Sequence, residues 1–200
     1  EADDVIAYLS KSVITHPKDK SFIVSSDKDF LQLVDENVVV YRPMEKEYYT
    51  PQTVIDKYKL SPHNFILHKT LLGDNSDKIK GVKGLGEKGL LKKFPELIEK
   101  DMSWDDILNI CEEKISEHLV YARIIHGRDD LEKNYKIMDL SNPMLSKEDK
   151  IWLDEIVASD NLPYYPDQFV SMYNEDQIGG LIRNVEFWVK DCFNNLVIKK

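Results

Sequence analysis

Apolar positions in the opening segment EADDVIAYLSKSVI recur at helical spacing through Val5, Ile6, Leu9, Val13 and Ile14, and predict a helix over residues 1–14. His16-Pro17-Lys18-Asp19 has turn chemistry. Short β-type runs follow at 21–25 (SFIVS) and 38–41 (VVVY), with helical turns over 30–34 between them and a returning strand over 47–50. Thr50-Pro51 reads as a cap followed by the first helical position, and opens a helix to Tyr58. Ser61-Pro62 repeats the signal for a helix ending near Leu72, and beyond residue 60 the strand signals stop. Helical patterns then cover 85–94, 95–100, a segment from Ser103 with Ile107, Leu108, Ile110 and Cys111, and 115–127, 147–158 and 176–194. An extended stretch is expected over 135–140 and a compact aromatic connector over 161–172. Ile178, Leu181, Ile182, Val185, Phe187, Trp188 and Val189 read as core of the last helix, not as a base-stacking platform. The pattern predicts an α/β part over 1–60 and a mainly helical part over 61–200.

The 42% of hydrophobic residues is enough for a buried core, and no run is long enough to span a membrane. Cys111 and Cys192 lie far apart and read as two reduced thiols, not a disulfide. The chain opens on Glu1 inside a helical pattern, without a secretory leader, so it is expected to be the C-terminal part of a longer polypeptide.

A net charge of −9 argues against a protein that merely coats nucleic acid, since such proteins are basic as a whole. The exception is local. Residues 71–91 read LLGDNSDKIKGVKGLGEKGLL, and from Asp77 to Lys93 six lysines (78, 80, 83, 88, 92 and 93) face only Asp77 and Glu87. Turn glycines Gly81, Gly84 and Gly86 lie among them. Such a turn can grip a phosphate backbone through N–H groups and ammonium charges without reading sequence.

Asp74 and Asp77 sit at the head of that segment, and two more acidic clusters lie upstream: Glu1, Asp3 and Asp4, then Asp27 and Asp29 just past an apolar strand. Each has an ordinary reading. Acidic residues in a first helical turn complement the helix dipole, and Asp27 or Asp29 can cap a solvated loop. Together, seven carboxylates at one place would repel unless cations neutralised them. Oxygen donors select Mg²⁺ or Mn²⁺ over zinc, and the five histidines are too scattered to compete. Asp74 is not the start of an EF-hand, because the glycine and the terminal glutamate are misplaced. Two ions about 4 Å apart could produce hydroxide and steady the leaving oxygen of a phosphodiester.

The motifs EADD at 1–4, SSDKDFLQL at 25–33 and LLGDNSDKIKGVKGLGEKG at 71–89, in this order, resemble the 5′-nucleases: flap endonucleases, 5′–3′ exonuclease domains of bacterial polymerases, and phage 5′-exonucleases with ribonuclease H activity. The resemblance is firm to about residue 95 and loose beyond, where the style is nearest the phage members. It implies a partial PIN-like parallel-sheet domain over 1–60 and a helical domain over 61–200 containing a helix–three-turn–helix at about 71–95. It implies two ions, with Glu1 and Asp3 holding the first and Asp4, Asp27, Asp29, Asp74 and Asp77 holding or orienting the second. Lys78, Lys80, Gly81, Lys83, Gly84, Gly86, Lys88, Lys92 and Lys93 would grip DNA, with a potassium ion at the carbonyls of the turn. It implies branched, flapped or nicked DNA or RNA–DNA hybrid as substrate, replication proteins as partners, and the cytoplasm of a bacterial or phage-infected cell. The family's N-terminal half, with its further aspartates and threading arch, has no counterpart in these 200 residues, so the chain alone is expected to be inactive without that half. Two other readings stand beside the enzyme: a structure-selective DNA-binding module using the glycine turn alone, and a PIN-type ribonuclease.

Overall fold

A computed structural model of the chain describes residues 1–159, 165–176 and 180–194. Helix α1 (Ala2–Ser12) leads to β1 (Ser21–Val24), a 3₁₀ turn (Asp29–Leu33), β2 (Val38–Arg42), β3 (Glu47–Tyr49) and α2 (Pro51–Tyr58). Strands β1 and β2 run parallel with Ser21 opposite Val38, and β2 and β3 run antiparallel with Val40 opposite Tyr49. The sheet is therefore mixed, with one parallel pair. Its inner face carries Ile23, Val38, Val40 and Tyr49, which pack with Ala7, Phe30, Leu31, Leu33, Val54, Leu60 and Phe65. Its outer face leaves Phe22 58%, Val24 67% and Tyr48 57% exposed, so that one apolar side of the sheet is uncovered among the described residues. Thr50 caps α2 by accepting from the Thr53 amide, with Pro51 at the first position, as the sequence signal required.

Helix α3 (Phe65–Leu72) is buried nearly all round. Phe65 belongs to the sheet-side core, while Ile66, Leu67 and Leu71 enter a second core with Leu85, Leu90, Phe94, Leu97, Ile107, Leu108, Cys111, Val120, Ile124 and Leu131. Asn64, fully buried just before α3, gives its amide hydrogens to the carbonyls of Leu97 and Lys100 and accepts from the Met102 amide. Both its amide hydrogens and its carbonyl oxygen are partnered, which offsets the cost of burying it. The second core is built from α4 (Glu87–Lys93), α5 (Glu96–Glu99), α6 (Trp104–Glu113), α7 (Leu119–His126) and α8 (Arg128–Met138). Ser103 and Asp106 form a reciprocal capping box at the start of α6. Gln32 clamps the chain after α8 by donating to the Met138 carbonyl and accepting from the Leu140 amide.

Three expectations are corrected. Residues 135–138 are not extended but complete α8, because Leu131, Tyr135 and Met138 bury one helical stripe. Strand structure does not stop at residue 60: Gly73–Asp74 (β4) pairs antiparallel with Ile79–Lys80 (β5). Pro166–Glu175 is helical (α10), with the proline in the first turn, where the aromatic content suggested a connector. Residues 161–164 of that stretch, and Ile178, lie outside the described residues.

The described chain divides into two compact units, Glu1–Asp154 and Glu155–Lys200, with α9 (Lys147–Ala158) running through the division. In the second unit, Phe169 and Trp188 stack between α10 and α11 (Val185–Asn194), a helix that starts later than residue 176, and Leu181 (82% exposed) and Phe187 (66% exposed) are not core. Cys111 is buried with its thiol pushed up to about 12 by burial, and Cys192 is exposed; both are free thiols. No described helix is long and apolar enough to cross a membrane.

Two glycines are sterically obligatory at the crossing of β4 and β5. A Cβ on Gly73 (φ 79°) would lie 2.6 Å from the Ile79 carbonyl, and one on Gly81 would fall inside the Leu72 peptide. Gly86 faces open space. Gly81→Ala is expected to destabilise the chain by more than about 2 kcal/mol, whereas Gly86→Ala should cost about 1 kcal/mol or less, a contrast that urea unfolding measures directly.

Candidate metal centre and nucleic-acid turn

The three acidic clusters arrive from three elements. Asp3 and Asp4 lie in the first turn of α1, Asp27 in the loop leaving β1 and Asp29 at the start of the 3₁₀ turn that follows it, and Asp74 and Asp77 on the β4–β5 hairpin. Loop geometry fixes the second and third. Asp27 accepts from the Asp29 amide at 2.9 Å and donates its own amide to Ser25 Oγ at 3.1 Å. Arg42, buried at the end of β2, donates to the Ser26 carbonyl at 2.7 Å and holds this loop from beneath. Asp74 accepts from the Ser76 amide at 2.8 Å, and Lys78 adopts a left-handed conformation (φ 59°), so the hairpin turns back and returns Asp77 towards Asp74.

Carboxylate oxygens of Asp29, Asp74 and Asp77 lie within 4.8 Å of one another. Asp3 stands at the edge of the same field: burial raises its pKa, and the charges of Asp27, Glu1, Asp4 and Asp77 add to the shift. Asp4 is engaged differently, accepting from the Met144 amide at 2.8 Å. The structure thus gathers Asp29, Asp74 and Asp77 tightly, with Asp27 acting on Asp29 and Asp77 acting on Asp3; Glu1 and Asp4 act on Asp3, and Asp4 also holds the Met144 amide.

A residue that the sequence reading did not single out sits at the centre. Lys69, only 6% exposed on α3, bridges Asp29 Oδ1 and Asp74 Oδ2, the latter at 2.8 Å. Burial disfavours its charge, but the hydrogen bonds to Asp29 and Asp74 outweigh that and raise its pKa. The Lys69 hydrogen bond holds Asp74 well below the usual carboxylate range, helped by Ser76. Burial raises Asp29, with Asp27 and Asp74 adding and Lys69 opposing. The available signal was a lone cation inside the apolar helix FILHKTLL, five residues before Asp74.

The donor set fits a hard divalent cation. The tight group offers only carboxylate oxygens, with no His or Cys in it. Lys69 uses one oxygen each of Asp29 and Asp74 and supplies one positive charge to three carboxylates, so the cluster still calls for further positive charge.

On the hairpin and beyond it, Lys78, Lys80, Lys83, Lys88 and Lys92 are exposed, and Lys93 lies over the Tyr121 ring at 5.5 Å. Among the described residues none of these six ammonium groups makes an ion pair. Gly84 needs its positive φ of 81°, while Gly81 serves the hairpin crossing described above.

The family described as 5′-3′ exonuclease, N-terminal resolvase-like domain, matches residues 1–59. A 5′-3′ exonuclease of Aquifex aeolicus is 36% identical over 155 residues, covering 74% of this chain and 49% of that protein. The thermostable DNA polymerase I of Thermus thermophilus is 35% identical over 135 residues, covering 62% of this chain and 15% of the polymerase. A T5 5′-exonuclease with bound zinc superposes with a TM-score of 0.64 at 21% identity, covering 78% of this chain and 58% of that one. Over these stretches the chain is similar to the 5′-nucleases. Its α/β architecture is that of the T5 exonuclease fold, a likeness shared with a T5 flap endonuclease solved in a pseudo-enzyme-product complex with DNA and metal ions (TM-score 0.64, 20% identity). The chain spans about half the length of the Aquifex relative.

Replacing Lys69 with Met strips the bridge from two partly buried carboxylates. We expect a loss of about 3–5 kcal/mol, the cost of unpairing a buried ion pair. Millimolar Mg²⁺ should restore more stability to Lys69→Met than to the wild type, as measured by urea unfolding with and without the ion.

Proposed function

We propose that this chain carries the metal-binding and DNA-gripping parts of a 5′-nuclease, which hydrolyses phosphodiester bonds at 5′ ends, flaps or RNA primers in replication or repair. The carrying observation is the convergence of Asp29, Asp74 and Asp77 within 4.8 Å on a hairpin that continues directly into the unpaired lysines of the glycine turn. Reactive oxygens and backbone grip would then sit on one rigid element.

In this reading Glu1 and Asp3 hold one Mg²⁺ or Mn²⁺, and Asp4, Asp27, Asp29, Asp74 and Asp77 hold or orient a second. Such a pair supplies a water-derived nucleophile and stabilises the departing oxygen. Lys69 keeps Asp29 and Asp74 in one orientation, and Arg42 holds the loop that presents Asp27. Residues 71–95 form the helix–three-turn–helix, with Lys78, Lys80, Lys83, Lys88, Lys92 and Lys93 and the glycine backbone contacting one strand of a branched, flapped or nicked duplex or of an RNA–DNA hybrid.

The sheet of residues 1–60 is read as part of a larger PIN-like parallel sheet. The open edge of β1 and the exposed Phe22, Val24 and Tyr48 support that reading, because an apolar sheet face in an enzyme domain is normally covered. The remaining half of a full-length nuclease is the partner proposed for this face. The helical domain is read as beginning near residue 61; the first residue of the second core is Ile66. Replication proteins are further partners, and the cytoplasm of a bacterial or phage-infected cell is the proposed location.

The free lysines also support the simpler reading of a non-catalytic module that selects DNA structure, since the turn is formed by its own core contacts. One experiment separates the two. The chain combined with the rest of its nuclease is incubated with a labelled 5′-flap duplex, in Mg²⁺ or in EDTA. The enzyme reading expects cleavage in Mg²⁺ only, cut by more than about a hundredfold in Asp29→Asn/Asp74→Asn, beyond the usual cost of losing a ligand-supporting group. Flap binding that survives this double substitution, with no cleavage by the unsubstituted protein, would select the module.

A further inference from the structure

Between Asp27 and Asp29 the chain places a lysine, Lys28, which is exposed. Its backbone is not free. The Ser25 amide donates to the Tyr41 carbonyl at 3.0 Å, and the Ser26 carbonyl accepts from Arg42. The Asp29 amide donates to Asp27, and the Lys28 carbonyl accepts from the Leu31 amide at 3.0 Å. The loop is thus tied along its length, and Lys28 extends from a set point at the end of β1.

The charge of Lys28 is not spent on the carboxylates beside it. Lys69 bridges Asp29 and Asp74 from the buried side, whereas the Lys28 ammonium makes no ion pair or hydrogen bond among the described residues. What it acts on gives its direction. Burial holds His68, on α3, below its ordinary pKa; Glu87 opposes, and the Lys28 charge adds to the depression. His68 Nε2 in turn lies 3.9 Å from Glu87 Oε1, in the first turn of α4 directly after Gly86. Glu45, held low first by the Tyr49 hydroxyl and last by Lys28, is already paired with Arg42 at 2.8 Å. Lys28, His68 and Glu87 therefore form a row from the rim of the carboxylate cluster to the helix that follows the glycine turn. The exposed Lys83 and Lys88 flank the far end of that row in sequence.

A strand with one phosphodiester at the carboxylates and its neighbours in the turn would cross this row. Each phosphate then passes a cluster of its own sign, and an unpaired ammonium at the rim offsets that repulsion. Lysine suits the place as a point charge that needs no fixed planar geometry. We propose that Lys28 is a substrate-binding residue of this site, its ammonium holding the backbone phosphate between the phosphodiester at Asp29, Asp74 and Asp77 and the strand gripped by the glycine turn. The proposal rests on the DNA-gripping reading above and adds to it a contact from the sheet side of the chain.

The test uses the chain combined with the rest of its nuclease and a labelled 5′-flap duplex. Fluorescence anisotropy in EDTA, over a series of KCl concentrations, separates binding from cleavage and from metal. Lys28→Gln should bind about tenfold more weakly, the loss expected for one charge-assisted contact, and its dependence on salt should fall by about one phosphate. Lys28→Arg keeps the charge and should stay within about threefold of the wild type with the same salt slope. Lys18→Gln removes an exposed lysine before the start of β1, at the other end of that strand, and should bind within about twofold of the wild type with its slope. Calorimetry with Mn²⁺ and no nucleic acid supplies a second readout. Removing a cation beside carboxylates should leave Mn²⁺ binding as tight as in the wild type or tighter, whereas damage to the loop would weaken it. Unchanged flap affinity and slope in Lys28→Gln, a loss no larger than that of Lys18→Gln, or a loss accompanied by weaker Mn²⁺ binding would each overturn the role of Lys28 and leave the DNA-gripping reading standing. A wild type that binds no duplex at any salt would overturn that reading, and the proposal with it.

Discussion

The bridge from Lys69 to Asp29 and Asp74 is where the two cores of this chain meet in a polar contact. Asp29 comes from the sheet side, Asp74 from the hairpin on the helical side, and Lys69 from the helix buried between them. A buried ion pair is a poor source of net stability, because desolvation offsets most of the attraction. Its value here is orientational. Two carboxylates that would otherwise repel are held about one ammonium, with Asp74 Oδ1 also fixed by Ser76. The same lysine lowers the number of positive charges that the cluster must recruit from solution.

Helix α3 makes that arrangement possible because it has almost no solvent face. Phe65 packs into one core, and Ile66, Leu67 and Leu71 into the other, so the helix cannot rotate to free its lysine without emptying a core. Just past its end the chain passes through Gly73 and is crossed by Gly81, a contact so close that neither position has room for a side chain. This crossing sets the hairpin carrying Asp74 and Asp77, and the chain continues from it into the lysines. Acidic and basic functions thus share one short, sterically locked segment. In that segment the carboxylates turn towards the sheet-side acids, and the ammonium groups stay in solvent.

Much of this was legible in the chain as a string. The start of α2 followed from Thr50-Pro51, the start of α6 from Ser103 and its neighbours, and α7 from its apolar stripe, because caps and periodicity are local and act within one or two turns. The grouping of Asp29, Asp74 and Asp77 was readable as two of three acidic clusters that made chemical sense only together. Residues 135–138 were misread because Leu131, which completes the stripe of α8, lies in a charged stretch of weak local pattern.

The sequence by itself determined the helices with clear caps or apolar stripes, where negative charge concentrates and where lysines and glycines gather, since these depend on side-chain chemistry and short-range backbone preference; α8 and α10 escaped it. Only the tertiary structure decided the partners of single residues. Lys69 finds carboxylates 40 positions upstream and five downstream, Arg123 finds the carbonyl of Lys83, and Gly81 is needed for a backbone crossing and not only for a bend. Contacts of this kind arise when packed cores bring distant segments within hydrogen-bond range, and no local pattern records that distance.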